Sequence, residues 1–170
     1  MHEADAPALW DLRLAALRSS PEAFGESEDE HLQMSVDALA ARLGSGGDEN
    51  FVLGAVAGAD LAGMVGFYRD TRPKRRQRGW IWGMYVAEAW RGRGIGEQLV
   101  REVIRRAESI PGLYNVVLGV TANQFAARRL YERAGFVAFG LEPQALQVDG
   151  VMVDECHMIL RLKDASKGGL

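Results

Sequence analysis

A chain of 170 residues, 48% apolar and 25% charged, has the length and composition of one globular domain. Its size lets it bury about 70% of its unfolded surface without a disulfide or metal staple, and a single cysteine, Cys156, excludes an internal disulfide and a cysteine-based zinc site. The net charge of −3 argues against a general nucleic-acid or anionic-membrane binder, while 20 glycines exceed the roughly 7% background and imply either loops or close approach of backbone to a ligand.

The N-terminus, MHEADAPALWDLRLAAL, lacks the basic-then-apolar pattern of a leader. No apolar run approaches the ~18 residues of a membrane span. The cytoplasm is therefore the expected compartment. Asp5 is placed to cap a first helix over 6–19, with Leu9, Trp10, Leu12, Leu14 and Leu17 at near-helical spacing. Ser20-Pro21 ends it. A second helix is predicted over 28–43, with Leu32, Val36, Leu39 and Leu43 on one face. After the loop GSGGDEN, Phe51–Val56 and Ala62–Tyr68 read as strands joined at Gly58-Ala59-Asp60. The stretch Arg69–Arg78 carries six basic residues without an interleaved aromatic. It reads as a solvated hairpin tip rather than a base-stacking surface.

Trp80–Val86 is the next strand, with Trp80, Trp82 and Met84 expected on one face by alternation. A helix over 95–107 presents Ile95, Leu99, Val100, Val103 and Ile104 on one side. Strand Asn115–Thr121 and helix Gln124–Ala134 follow, the latter ending at Gly135, a good C′ residue. Two last strands cover 136–141 and 151–162, separated by a loop containing Glu142-Pro143 and Asp149-Gly150. The tail 163–170 is small and polar and is expected to fray, leaving a domain over 1–162. The order defines an α/β fold with a mixed sheet, in which the unit over 80–121 is a parallel crossover.

The densest signal is Arg91-Gly92-Arg93-Gly94-Ile95-Gly96, between a strand and a helix. Glycines there let backbone N–H groups face an anion, and the helix N-terminus adds positive potential. No Gly-Lys-Ser/Thr ends the loop, so it is not a Walker A sequence. Glu97 stands where the dinucleotide fingerprint needs its last glycine.

RGRGIG, with Arg91, Gly94 and Gly96 in the defining slots, resembles the acetyl-CoA motif of the GNAT N-acetyltransferases. LGVTANQFAARRLYERAGF resembles the second motif of that superfamily, and AFGLEPQALQVDGVMVDECHMILRL the closing hairpin of a bacterial branch. The resemblance covers nearly the whole chain. It implies a single-domain GNAT fold: a mixed, mostly antiparallel sheet of six or seven strands, helices on both faces, and a first strand missing or vestigial. It further implies an acetyl-CoA-dependent N-acetyltransferase acting on a primary amine of a small molecule or peptide. No metal, nucleic acid or membrane is implied, and relatives often form homodimers through the last strands. Backbone groups of Met84, Tyr85 and Val86 would meet the pantetheine arm. The N–H groups of Gly92, Arg93, Gly94, Ile95 and Gly96 would hold the pyrophosphate, with Arg91 beside them. Gln124, next to Asn123, fills the slot in which most relatives have asparagine, and Ala127 is the expected alanine. Tyr131 occupies the tyrosine slot near the coenzyme sulfur and is the candidate acid for the leaving thiolate.

The base is not evident, since strand 80–86 holds no carboxylate. Glu26, Glu28, Glu155 or an ordered water are candidates. His2, His31 and His157 are scattered and suggest neither a metal site nor a triad, and His157 reads as a core residue. Cys156 has no activating partner in sequence and reads as structural. The alternative function is a non-catalytic acyl-CoA sensor. A nucleic-acid binder acting through residues 69–78 is the third reading.

Overall fold

The computed structural model describes residues 1–162; the tail expected to fray lies outside them. After a turn of 3-10 helix at Glu3–Asp5, helix α1 spans Ala6–Ser19. Asp5 does not cap α1. Its carboxylate accepts from the His2 N–H at 2.7 Å and so closes the turn before the helix. The helix expected over 28–43 is two helices, α2 Glu28–Gln33 and α3 Val36–Gly44. Each has its own serine cap: Ser27 accepts from the Glu30 N–H and Ser35 from the Ala38 N–H. The Ser35 cap, invisible to a count of apolar spacing, divides the run.

Six strands form one sheet in the order β1-β2-β3-β4-β6-β5, where β1 is Asn50–Ala57, β2 Asp60–Arg69, β3 Arg78–Val86, β4 Asn115–Thr121, β5 Val137–Val148 and β6 Val151–Arg161. No strand precedes α1 among the described residues. Every pair is antiparallel except β3 and β4. The loop expected at Glu142-Pro143 is instead an irregularity inside β5, between Glu142 and Leu146, where Gln144 takes φ +54°. The β5–β6 turn is Asp149-Gly150, both at positive φ, which suits a two-residue hairpin.

Helices α4 (Ile95–Glu108) and α5 (Phe125–Arg133) cover one face of the sheet. Leu99, Val100, Val103 and Ala107 of α4 meet Val65, Phe67, Ile81, Val116, Leu118, Cys156 and Met158, all buried. Each such Leu or Val side chain contributes about 1.5–3 kcal/mol by leaving water. Helix α1 covers the other face over β1, β2 and β3, with Leu9, Leu12 and Ala16 against Val52, Met64 and Tyr85. No helix among the described residues is long and apolar enough to cross a membrane.

Candidate active site

β3 and β4 run parallel but pair at only three positions, the last being Trp80 with Val117. β3 continues to Val86 and β4 to Thr121 without further pairing, so the sheet is parted between its two middle strands. An extended ligand can add itself to backbone exposed in this way. Met84, Tyr85 and Val86, the residues expected to meet the pantetheine arm, border that gap. One of their carbonyls is already engaged, since Arg91 Nε donates to Val86 O at 3.0 Å.

Gly83 shapes this edge. It takes φ +63° within β3, and the register against β2 shifts at this point. The bulge reverses the alternation. Ile81 and Met84 pack toward α4, while Tyr85 packs toward α1. The expectation that Met84 shares a face with Trp80 and Trp82 is therefore corrected: Tyr85 takes that place. Trp82 is 41% exposed and lies across Gly66, where a Cβ would fall 2.0 Å from the indole. The Tyr85 hydroxyl and Ser19 Oγ share a hydrogen bond of 2.9 Å, and Phe24 meets the Tyr85 ring edge-on. α1 and the chain after it are thus pinned to β3 beside the gap.

The loop Arg91–Gly94 follows β3 and a 3-10 turn at Glu88–Trp90. Gly92 and Gly94 take φ +75° and +77° with open space where a Cβ would stand. Among the described residues no backbone acceptor takes the N–H groups of Gly92, Arg93, Gly94, Ile95 or Gly96. Five free amides at the start of the 14-residue α4 form an anion-binding nest, and the donor set fits a pyrophosphate. Gly96 has a different reason to be glycine. A Cβ there would meet Leu130 Cδ1 at 2.8 Å and Met84 Cε at 3.0 Å, so Gly96 lets α4 pack against α5 and β3. Arg91 lies over the Tyr85 ring at 5.5 Å and Arg93 over the Trp90 ring at 4.6 Å, bringing two cations to the loop.

Tyr131 is buried in α5 against Phe136. Burial alone raises its pKa, so its hydroxyl keeps its proton at neutral pH. Ala127 packs against the same core. Gln124 precedes α5 and its amide donates to Glu22 Oε1 at 2.9 Å, tying α5 to the turn Pro21–Ala23. Asn123 beside it is exposed.

The three candidate bases have different surroundings. Glu26 is held by Arg13 at 2.8 Å and faces the buried His31 at 3.4 Å. Glu28 is on the surface with Arg18. Glu155 lies on the open face of the sheet on the α1 side, across Gly119 of β4. His157 is not a core residue: it bonds Glu142 at 2.9 Å and lies 3.8 Å from Glu155. Glu142, Glu155 and His157 thus converge, although their positions in sequence do not show it.

Gly83, Gly119, Thr121 and Arg13 were not singled out by the sequence. The available signal was a glycine inside each of two apolar strands, WIWGMYV and VLGVT, which marks a bulge or a close approach. Four of the six cations of the basic stretch 69–78 are paired, Arg69 and Arg76 on Glu49 and Arg72 and Arg75 on Asp70, and the stretch stays net positive. A cavity of ≈ 1020 Å³ lies on the α1 and α3 side and reaches Trp82 and Gly83. No residue of the glycine loop or of β4 lines it.

A parted parallel pair, a glycine loop of free amides and a buried tyrosine make up the candidate site, and comparison with known proteins gives the class of the fold that carries it. The acetyltransferase (GNAT) family matches residues 9–136, and the chain belongs to that family. A curated relative, the L-methionine sulfoximine/L-methionine sulfone acetyltransferase of Pseudomonas paraeruginosa, is 36% identical over 108 residues, 61% of this chain and 62% of that protein. The match thus spans less than two thirds of the relative's length. A GNAT-family acetyltransferase of Streptococcus pneumoniae superposes with a TM-score of 0.83 at 22% identity, covering 95% of this chain and 96% of that one. The yncA protein of Salmonella typhimurium, solved with its cofactor acetyl-CoA, gives 0.82 at 21% identity, covering 98% and 93%. These two likenesses establish the fold.

Proposed function

We propose that the protein transfers an acetyl group from acetyl-CoA to the primary amine of a small molecule or peptide, both substrates being bound together. The parting of β3 and β4 directly beside the free amides of Gly92–Gly96 carries this reading. Bound acetyl-CoA supplies the activated acetyl thioester. The nest at Gly92, Arg93, Gly94, Ile95 and Gly96 binds the pyrophosphate, with Arg91 and Arg93 adding charge. The edge Met84–Val86 orients the pantetheine, with Gln124 and Ala127 across from it, and a β3 amide such as that of Tyr85 faces the charge that develops on the carbonyl oxygen. Tyr131, kept protonated by burial, gives a proton to the leaving sulfur. A small-molecule acceptor accords with the substrate named for the Pseudomonas relative. The exposed Val137, Phe139 and Leu141 on edge strand β5 support a homodimer through the last strands, which sedimentation tests.

Thiol release from acetyl-CoA, measured with a panel of amines, amino acids and peptides, tests the enzyme. Turnover with at least one amine is expected. Tight coenzyme binding without turnover of any amine would overturn the catalytic reading in favour of an acyl-CoA sensor.

A further inference from the structure

An alkyl ammonium must lose a proton before it can attack a thioester, and only about one in 10³ is neutral at pH 7. Resting on the acetyltransferase reading above, the geometry points to Glu155 as the group that takes this proton, laid over Gly119 of β4, the strand that borders the gap, and flanked by His157 and Glu142.

Register places the carboxylate. Two residues beyond the last paired positions, Trp80 and Val117, lie Trp82 and Gly119, at the level where the strands part. Both belong to the α1 face. A Cβ at Gly119 would stand 2.5 Å from the Glu155 carboxyl carbon and 2.5 Å from Oε2, so the side chain lies flat across β4 at that level. Glycine inside a strand costs about 0.5–1 kcal/mol, and accommodating this carboxylate accounts for it. Thr121, next on the same face of β4 and paired with Glu155 on β6, has a buried Oγ1 with no hydrogen-bond partner. A buried hydroxyl without a partner is costly unless a ligand completes it. A carboxylate and an orphan hydroxyl therefore stand together beside the gap.

The competing acids are engaged elsewhere. Arg13 and His31 hold Glu26, Arg18 holds Glu28, and Gln124 holds Glu22 on the turn Pro21–Ala23. Asp154 accepts from the Gln144 N–H. The charged groups facing Glu155 are His157 on its own strand and Glu142 on β5; β4 offers only Gly119 and Thr121. Burial pushes the Glu155 carboxyl up, Glu142 adds to this, and His157 offsets part of it. A raised carboxyl is a stronger base than a solvated one. The same negative charges attract the incoming ammonium.

The proton balance is simple. The ammonium gives one proton to Glu155, and its freed lone pair forms the new C–N bond. The C–S bond breaks with its electron pair leaving on sulfur. The second nitrogen proton passes to that sulfur by way of Tyr131 or water. Glu155 returns its proton to solvent, so the products are amide, free thiol and one proton.

Glu155→Gln keeps the shape of the side chain and removes its basicity. For the preferred amine of the panel, kcat/KM is expected to fall by about 10²–10⁴-fold. The acidic limb of the pH profile should vanish, with acetyl-CoA affinity unchanged by calorimetry. Two neighbours give an independent readout. Glu142→Gln should move the acidic limb to lower pH, and His157→Gln should move it to higher pH. Wild-type kcat/KM in Glu155→Gln, or a limb that none of the three variants moves, overturns the assignment. Should the wild type bind acetyl-CoA and acetylate nothing, the acetyltransferase reading fails separately. Glu155 is then judged by carboxyl NMR titration, where an ordinary value of about 4.3 overturns its role as proton acceptor.

Discussion

Gly94→Ala is the sharpest test of the anion nest. At φ +77° an alanine is strained by about 1–2 kcal/mol. No heavy atom lies within 4 Å of the new Cβ, so the strain is purely conformational. It must be expressed in one of two places. If the loop holds its shape in the free protein, the loss falls on stability, and Tm drops by about 2–4 °C for each kcal/mol in a chain of this size. If the free loop relaxes and is re-formed by the ligand, the loss falls on binding, and Kd rises by about 5–30-fold. Calorimetry with acetyl-CoA and thermal melts of the same samples measure both. S-acetylpantetheine, which lacks the pyrophosphate, is the control and should bind the variant as it binds the wild type. Equal weakening of both ligands, or no change in either Tm or Kd, would refute the reasoning.

Four further outcomes are expected. Tyr131→Phe should lower kcat by about 10²-fold or more and leave acetyl-CoA affinity unchanged; unaltered turnover removes Tyr131 from proton transfer. Gly96→Ala drives a methyl into Leu130 and Met84, and overpacking of this kind costs about 1–3 kcal/mol, seen as a lower Tm in thermal melts. Gly83→Ala meets no close backbone, but φ +63° strains it by about 1–2 kcal/mol. Near-UV circular dichroism should then report a disturbed Trp82 and Tyr85. Lastly, the native state holds the Glu155 proton to higher pH than the unfolded chain does. Stability therefore falls as pH rises from the ordinary carboxylate range, about 4.3, through the raised value. Melts in that window should show Glu155→Gln gaining on the wild type as pH rises, and the opposite trend contradicts the placement of Glu155.

What could be read from the sequence was what neighbouring residues settle among themselves. The loop Arg91–Gly96 and the apolar face of α4 are local, and both lie where the spacing put them. The faces of β3 depart from simple alternation, which assumes a period of two without interruption. Gly83 inserts one residue at positive φ, so Met84 and Tyr85 exchange sides. His157 was misread for a related reason: an apolar strand suggested a core position, whereas register against β5 puts it beside Glu142.

The two halves of the site differ in the same way. The nest proposed for the pyrophosphate comes from one short segment, so its glycines announce it. The face an amine must approach draws on α1, the turn at Pro21–Ala23, β3, β4, β5 and β6, and exists only through their pairing. Charge follows that division. Arg91 and Arg93 belong to the loop after β3, while Glu142 and Glu155 belong to β5 and β6. A net charge of −3 averages over this division, and the basic run 69–78 stays net positive although four of its six cations pair with Glu49 and Asp70. The placement of Glu155 beside Gly119 and Thr121, by contrast, follows from the register of β4 against β6 and from the missing side chain at Gly119.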